Sequence, residues 1–192
     1  MEKPSLAAPR NRMKGQSFRG WLEVFEDVAK GHSKTALLAA LPTEIAEAFH
    51  YKAIIASGWY PIDWYLRLYE ASQRIGVDQQ GFAKRMGRAT TEHDMRGIYS
   101  FIVKFASPGM VFATAQRLLG MYVEDVSTKL VHKEDTRVRM QVKIAGSFNE
   151  LLDELAGGGD AMLSVNGAKR PLVQWKQAGF DAVELSAEWQ ER

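Results

Sequence analysis

The sequence has no cysteine. That excludes disulfides, thiolate zinc sites and cysteine nucleophiles, and it leans toward a cytosolic home. Histidine is scarce. His32, His50, His93 and His132 are the four, and no two stand at the close spacing of a shared helical metal face. No apolar run reaches the ~18 residues that a membrane span needs. Met1 to Gly20 holds no apolar h-region, which argues against a secretory signal. A Walker loop, a G-x-S-x-G elbow and a dinucleotide fingerprint are all missing. Charge of one sign is missing too. The 25 basic and 23 acidic side chains leave a net +2, with no global pull toward nucleic acid. These absences point to a cytoplasmic protein without catalytic residues, metal ligands or a cofactor.

What is present is apolar mass, 46% of 192 residues, enough for one domain with a real core. The last third shows the clearest pattern. Val126, Thr128 and Leu130 alternate with polar neighbours, and Val138, Met140, Val142 and Ile144 alternate with Arg137, Arg139, Gln141 and Lys143. That is the period of two antiparallel strands with one dry face. Residues 171–177 and 182–189 predict a second strand pair. Between the pairs, Ser147 and Glu150 form a capping box ahead of Leu151, Leu152 and Leu155. Gly157 to Gly159 either end that helix or let it continue with its backbone unusually close to a neighbour.

Upstream the pattern is helical. Residues 1–16 are basic and aperiodic, and they read as a flexible tail, with residues 17–192 as a single domain. Ser17 caps a helix striped by Phe18, Leu22, Phe25 and Val28. Two short helical pieces, from Leu37 and from Glu44, are split at Pro42. Residues 62–71 carry a wide apolar arc, which marks a helix buried on more than one side. Asp78 caps the next helix, with Phe82 and Met86 inward. Further helices run from Ile98 to Phe105 and, after Ser107-Pro108, to Tyr122. The expected fold is α+β: an N-terminal helical layer over a C-terminal four-stranded antiparallel sheet, ββαββ.

Function is less legible. His93, in Thr90-Thr91-Glu92-His93-Asp94, has no visible partner geometry for acid–base work, so the chain reads as a non-enzyme. Helices laid on a sheet leave room for an apolar pocket between layers, and aromatics with polar tips suit its wall. Trp64, Tyr99, Phe105, Phe112 and Trp175 are the pocket candidates. Trp59, Tyr65 and Tyr69 exceed what one helix needs to cover one sheet, which marks them as interface candidates and predicts a homodimer. The first reading is a regulatory or sensory module that binds a small apolar or amphipathic ligand. The second is a protein-interaction or scaffolding dimer with a filled core and no ligand. Neither involves specific nucleic acid or a membrane span.

This order of elements resembles a ligand-binding fold shared by three groups. They are the haem nitric-oxide/oxygen sensors, the vinyl-reductase-type small-molecule-binding domains and the tethering subunits of the transport-protein-particle complex. Leu172-Val173-Gln174-Trp175, Gly179 and Val183-Glu184-Leu185-Ser186-Ala187-Glu188-Trp189 carry the vinyl-reductase-type likeness, without the cysteines such strands often hold. Tyr60-Pro61, Tyr65-Leu66-Arg67-Leu68, Arg96-Gly97-Ile98-Tyr99, Ser107-Pro108 and Tyr122 resemble a paralogous family found chiefly in myxobacteria and related predatory bacteria. That likeness implies that the glycine run lies inside a longer helix, about 148–165. The haem sensors hold iron through a histidine just before the first strand and grip the propionates with Tyr-x-Ser-x-Arg. Here residues 108–120 contain no histidine, and Tyr122 is followed by Val123-Glu124-Asp125-Val126, so the likeness implies no haem.

Overall fold

The computed structural model describes residues 11–95, 110, 115–179 and 182–190. Strand β1 (Arg12–Lys14) runs straight into helix α1 (Gly15–Val28). The expected tail is therefore structured from residue 11 onward, and the helix starts ahead of Ser17. The reason is local: β1 pairs with β2 (Trp59–Pro61), and Met13 is buried. The Gly15 and Gln16 amides donate to Gly58 O and Ala56 O at 2.9 and 3.0 Å. Loop carbonyls thus satisfy the first orphan amides in place of a side-chain cap. A Cβ on Gly15 would sit 2.0 Å from Ile55 O, so only glycine allows this approach.

Helices α2 (Lys34–Ala39) and α3 (Thr43–His50) flank Pro42 as expected, and the Ser33 hydroxyl accepts from Ala36 N to cap α2. Helix α4 (Ile62–Arg74) buries Ile62, Tyr65, Leu68, Tyr69 and Ala71. Its aromatic excess is covered by α1. Phe18 meets Tyr65 edge-on at 5.1 Å, and Trp21 meets Tyr69 at 5.5 Å. Helix α5 (Phe82–Asp94) begins after Gly81 in the left-handed region, φ +62°. Asp78 instead accepts from Gln80 N at 3.0 Å and shapes the turn before it. Phe82 and Met86 point inward, both 0% exposed. Helix α6 (Ala115–Leu119) leads into the first hairpin.

The sheet follows from the alternation. Strands β3 (Val126–Lys133) and β4 (Arg137–Ile144) pair antiparallel. After helix α7 (Asn149–Val165) come β5 (Lys169–Gln177) and β6 (Val183–Gln190), giving the order β3-β4-β6-β5. Val138, Met140, Val142 and Ile144 are all buried. Leu130 keeps register with Met140 and so shares the dry face as expected, yet it is exposed, because β3 is an outer strand of the sheet. The register shifts just beyond it, between Leu130 and His132.

Helix α7 passes unbroken through its three glycines. A Cβ on Gly157 would lie 1.9 Å from Lys84 O, and one on Gly87 would lie 1.8 Å from Glu154 O. Helices α5 and α7 therefore touch backbone to backbone, and glycine is needed on both. Ser147 does not cap α7. Phe148 holds that position without a side-chain bond and packs on Tyr69 at 6.3 Å, so packing rather than a capping box sets the start. One further tie fixes α5 and α7 to the sheet. Asp160 accepts from Val173 N at 2.6 Å and pairs with Lys84 at 3.0 Å, while Lys84 also donates to Val173 O.

Candidate functional site

A cavity of about 590 Å³ lies between the helices and the sheet. Its walls come from β1, α1, α4, α5, α6, α7 and the inward positions Met140, Val173 and Leu185 of the sheet. The close α5–α7 crossing at Gly87 and Gly158 forms part of the wall, since a glycine leaves room where a side chain would stand. Methionines recur around the space: Met13, Met95, Met121, Met140 and Met162. Their unbranched, polarisable side chains adapt to irregular apolar shapes. Leu118, Leu119, Leu151 and Leu155 add aliphatic wall.

Two carboxyls interrupt this apolar lining. Glu154, on α7, keeps some surface toward the cavity but is shielded from bulk water. Tyr65 donates its hydroxyl to Glu154 Oε1 at 2.6 Å, and Tyr69 donates to Oε2. The two tyrosines stand one turn apart on α4, so their hydroxyls meet one acceptor. Burial pushes the Glu154 carboxyl up to about 7, against the opposing pull of the two hydroxyls. Both tyrosines are themselves raised well above the ordinary phenol value, first by burial and next by the Glu154 charge. Asp94, at the end of α5, is also raised, chiefly by burial. Gln16 Nε2 and the Tyr122 hydroxyl reach it at 3.4 Å each, long contacts that hold it loosely. Among the described lining residues, Arg117 is the one basic side chain, and it is exposed.

Several expected site residues fall elsewhere. Tyr99, Phe105 and Phe112 lie outside the described residues. Trp64 sits beside the buried face of α4 and stacks on Tyr60 at 6.1 Å, away from the cavity wall. Trp175 shares the inward face of β5 with Val173, but its indole N–H is drawn to Asp153 at 2.7 Å on α7. Neither tryptophan lines the cavity. Tyr65 and Tyr69, expected at an interface, are 1% and 2% exposed inside the chain. Tyr65 is part of the cavity wall instead. Trp59 is half-buried, with the Lys14 ammonium 4.1 Å over its ring. Of the three interface candidates, Tyr65 and Tyr69 are thus covered within one chain, and Trp59 keeps part of its surface. Glu154 escaped the sequence reading, although Tyr65 and Tyr69 at i and i+4, with an acid set among Leu151, Leu155 and Gly158, were its signal.

The architecture is that of an α+β domain with a helical layer closing a cavity on a four-stranded antiparallel sheet. Solved H-NOX structures share it. An H-NOX protein mutant from K. algicida, in the Fe(II) unliganded state, superposes with a TM-score of 0.70 at 13% identity, covering 93% of this chain and 97% of that one. An oxygen-binding H-NOX domain related to soluble guanylate cyclases, as its oxygen complex, gives 0.68 at 10% identity, covering 93% and 96%. An H-NOX protein from S. oneidensis in the Fe(II)NO state gives 0.60 at 14% identity, covering 93% and 100%. At these identities the likeness is one of fold. No protein-family model matches the chain and no curated protein sequence matches it, so the myxobacterial and vinyl-reductase-type likenesses rest on their motifs alone.

The residues present do not fit a histidine-held haem. None of the four histidines lines the cavity. His93 turns outward to Glu23 at 2.8 Å, and His132, on β3, pairs with Glu134 in the turn that follows. His32 contacts Ala29 O, and His50 packs on Tyr51. Among the described residues, no group of three or more histidines and acids gathers as a metal site, and no helix is long and apolar enough to cross a membrane.

Proposed function

We propose that this chain is a non-enzymatic regulatory or sensory module that holds a small apolar or amphipathic ligand between its helices and its sheet. The observation that carries this reading is the cavity of about 590 Å³ with a methionine- and leucine-rich wall. An apolar hollow of that size, with Arg117 and Met121 exposed at its edge, has the volume and wall chemistry of a small-molecule site. The likeness to H-NOX structures, one of them described as oxygen-binding, supports a sensory role for the fold. The histidine positions argue for a ligand other than haem.

Two measurements check this. Titrated with hemin, the purified protein is expected to show no saturable Soret band. A stoichiometric Soret shift would overturn the non-haem reading. N-phenyl-1-naphthylamine, a neutral probe that fluoresces in apolar surroundings, is expected to bind saturably at one site. Leu155→Trp, which puts a large side chain into the space, should weaken that binding by about tenfold or more, since the pocket buries most of such a ligand. Non-saturable fluorescence, or equal binding by the variant, removes the pocket reading. Native mass measured beside denatured mass gives an independent view, because a retained ligand appears as added mass.

A further inference from the structure

The cavity has a chemical polarity that its size alone does not convey. Its walls are apolar, yet Glu154 and Asp94 both face it, and the one basic side chain among the described lining residues, Arg117, is exposed. Among the described residues, this apolar chamber holds carboxyls without an inner cation, an arrangement that is costly to ionise. The tyrosine pair does not remove that cost. Tyr65 takes one position on Glu154 Oε1 and Tyr69 one on Oε2, while a carboxylate offers about four acceptor positions in all. Glu154 thus retains acceptor capacity next to empty apolar volume. Among the described residues, Asp94 is held by two long contacts of 3.4 Å.

We propose that the cavity selects a lipophilic amine, an apolar body whose protonated amino group docks on the Glu154 carboxylate. This rests on the cavity being a ligand site and adds the class of ligand. A cation there supplies a countercharge that no described inner side chain provides, and it forms a charge-assisted bond with a carboxyl shielded from bulk water. A neutral ligand of the same shape gains the apolar burial but not the ion pair. An anionic ligand meets two carboxyls and is rejected. Burial holds Glu154 partly protonated near neutral pH without a ligand, and the arriving cation favours its ionised form.

The bland account of Glu154 is a structural acceptor that joins α4 to α7 through two hydroxyls. A ligand series separates the two accounts. The probes are 2-naphthylmethylamine, 2-naphthylmethanol and 2-naphthoate, each measured by displacement of N-phenyl-1-naphthylamine at neutral pH. On the unaltered protein the amine is expected to displace at least about tenfold more tightly than the alcohol, and the naphthoate more weakly than either. In Glu154→Gln, checked for its fold by circular dichroism, the amine-to-alcohol ratio should fall to within about twofold. Equal displacement by amine and alcohol on the unaltered protein overturns the proposal and leaves the pocket reading standing. So does an amine preference that survives Glu154→Gln. Failure of all three compounds to displace a bound probe also overturns it. Failure of the fluorescent probe itself to bind removes the pocket reading, and this proposal with it. Should Glu154→Gln not fold, the order of the three compounds on the unaltered protein decides alone.

Discussion

Gly157→Ala is expected to destabilise the protein by about 3 kcal/mol, as an overpacked backbone contact does. Helix propensity alone predicts the opposite sign, because alanine in a helix interior is worth about 1 kcal/mol over glycine. The geometry decides between them. The new Cβ would stand 1.9 Å from Lys84 O and 2.8 Å from Lys84 C, and backbone cannot swing aside as a side-chain end can. Helices α5 and α7 must then part along their whole contact, which also strains the Lys84–Asp160 tie to β5. Gly87→Ala meets the mirror-image obstacle at Glu154 O and should behave alike. Gly20→Ala is the control. It lies within α1, and its nearest outside atom is Asp94 Oδ1 at 3.8 Å, an ordinary contact. It should be neutral or stabilise by up to about 1 kcal/mol. Urea unfolding of the three variants reads all of this, and stabilisation by Gly157→Ala would mean that the two backbones do not touch.

Acid should stabilise the fold through Glu154. Its value in the folded state, about 7, lies above the ordinary 4.5. Between those values the folded protein keeps a proton that the unfolded chain has lost. The resulting stability is full below the ordinary value and is lost as pH rises through the folded one. The whole effect is about 3 kcal/mol, of which about 2 kcal/mol disappears between about pH 5.5 and about pH 8. The groups facing Glu154 do not reverse this. Tyr65 and Tyr69 are raised and stay neutral there, and the raised Asp94 acts in the same direction. Glu154→Gln should abolish most of the slope, so that the variant matches or exceeds the unaltered protein at the higher pH. Denaturant midpoints at the two pH values check it. An unaltered slope in the variant would assign the effect to other groups.

The fold was far more legible than the site, for a physical reason. Val138, Met140, Val142 and Ile144 announce a strand because four neighbours in sequence share one fate on one face. The wide arc on residues 62–71 likewise reported a helix covered on two sides. Ends were less readable. Ser17, Asp78 and Ser147 are good caps, but packing and loop carbonyls set those starts, and such partners are remote in sequence. The glycine run carried a signal whose meaning lay in Gly87, some seventy residues away. The cavity is worse still, because no two of its five methionines are near neighbours. Aromatic density pointed to Trp64 and Trp175, which are occupied by Tyr60 and Asp153. The more telling pair was Tyr65 and Tyr69, where two hydroxyls one turn apart on a buried face require an acceptor.

The two outer strands of the sheet bear on how this chain can associate. Strand β3 is interrupted by the register shift between Leu130 and His132, and β5 by one between Lys169 and Leu172. On β5, Arg170 adopts φ +48° and Pro171 has no amide hydrogen to offer. At these kinks neither rim continues the even row of donors and acceptors that an added strand copies. Leu130, Val131 and Leu172 can therefore stay exposed beside these kinks without recruiting another chain into a cross-β stack. Assembly by this protein, with itself or with a partner, is therefore expected to rest on side-chain packing, because a strand added to this sheet would meet a kink on either rim.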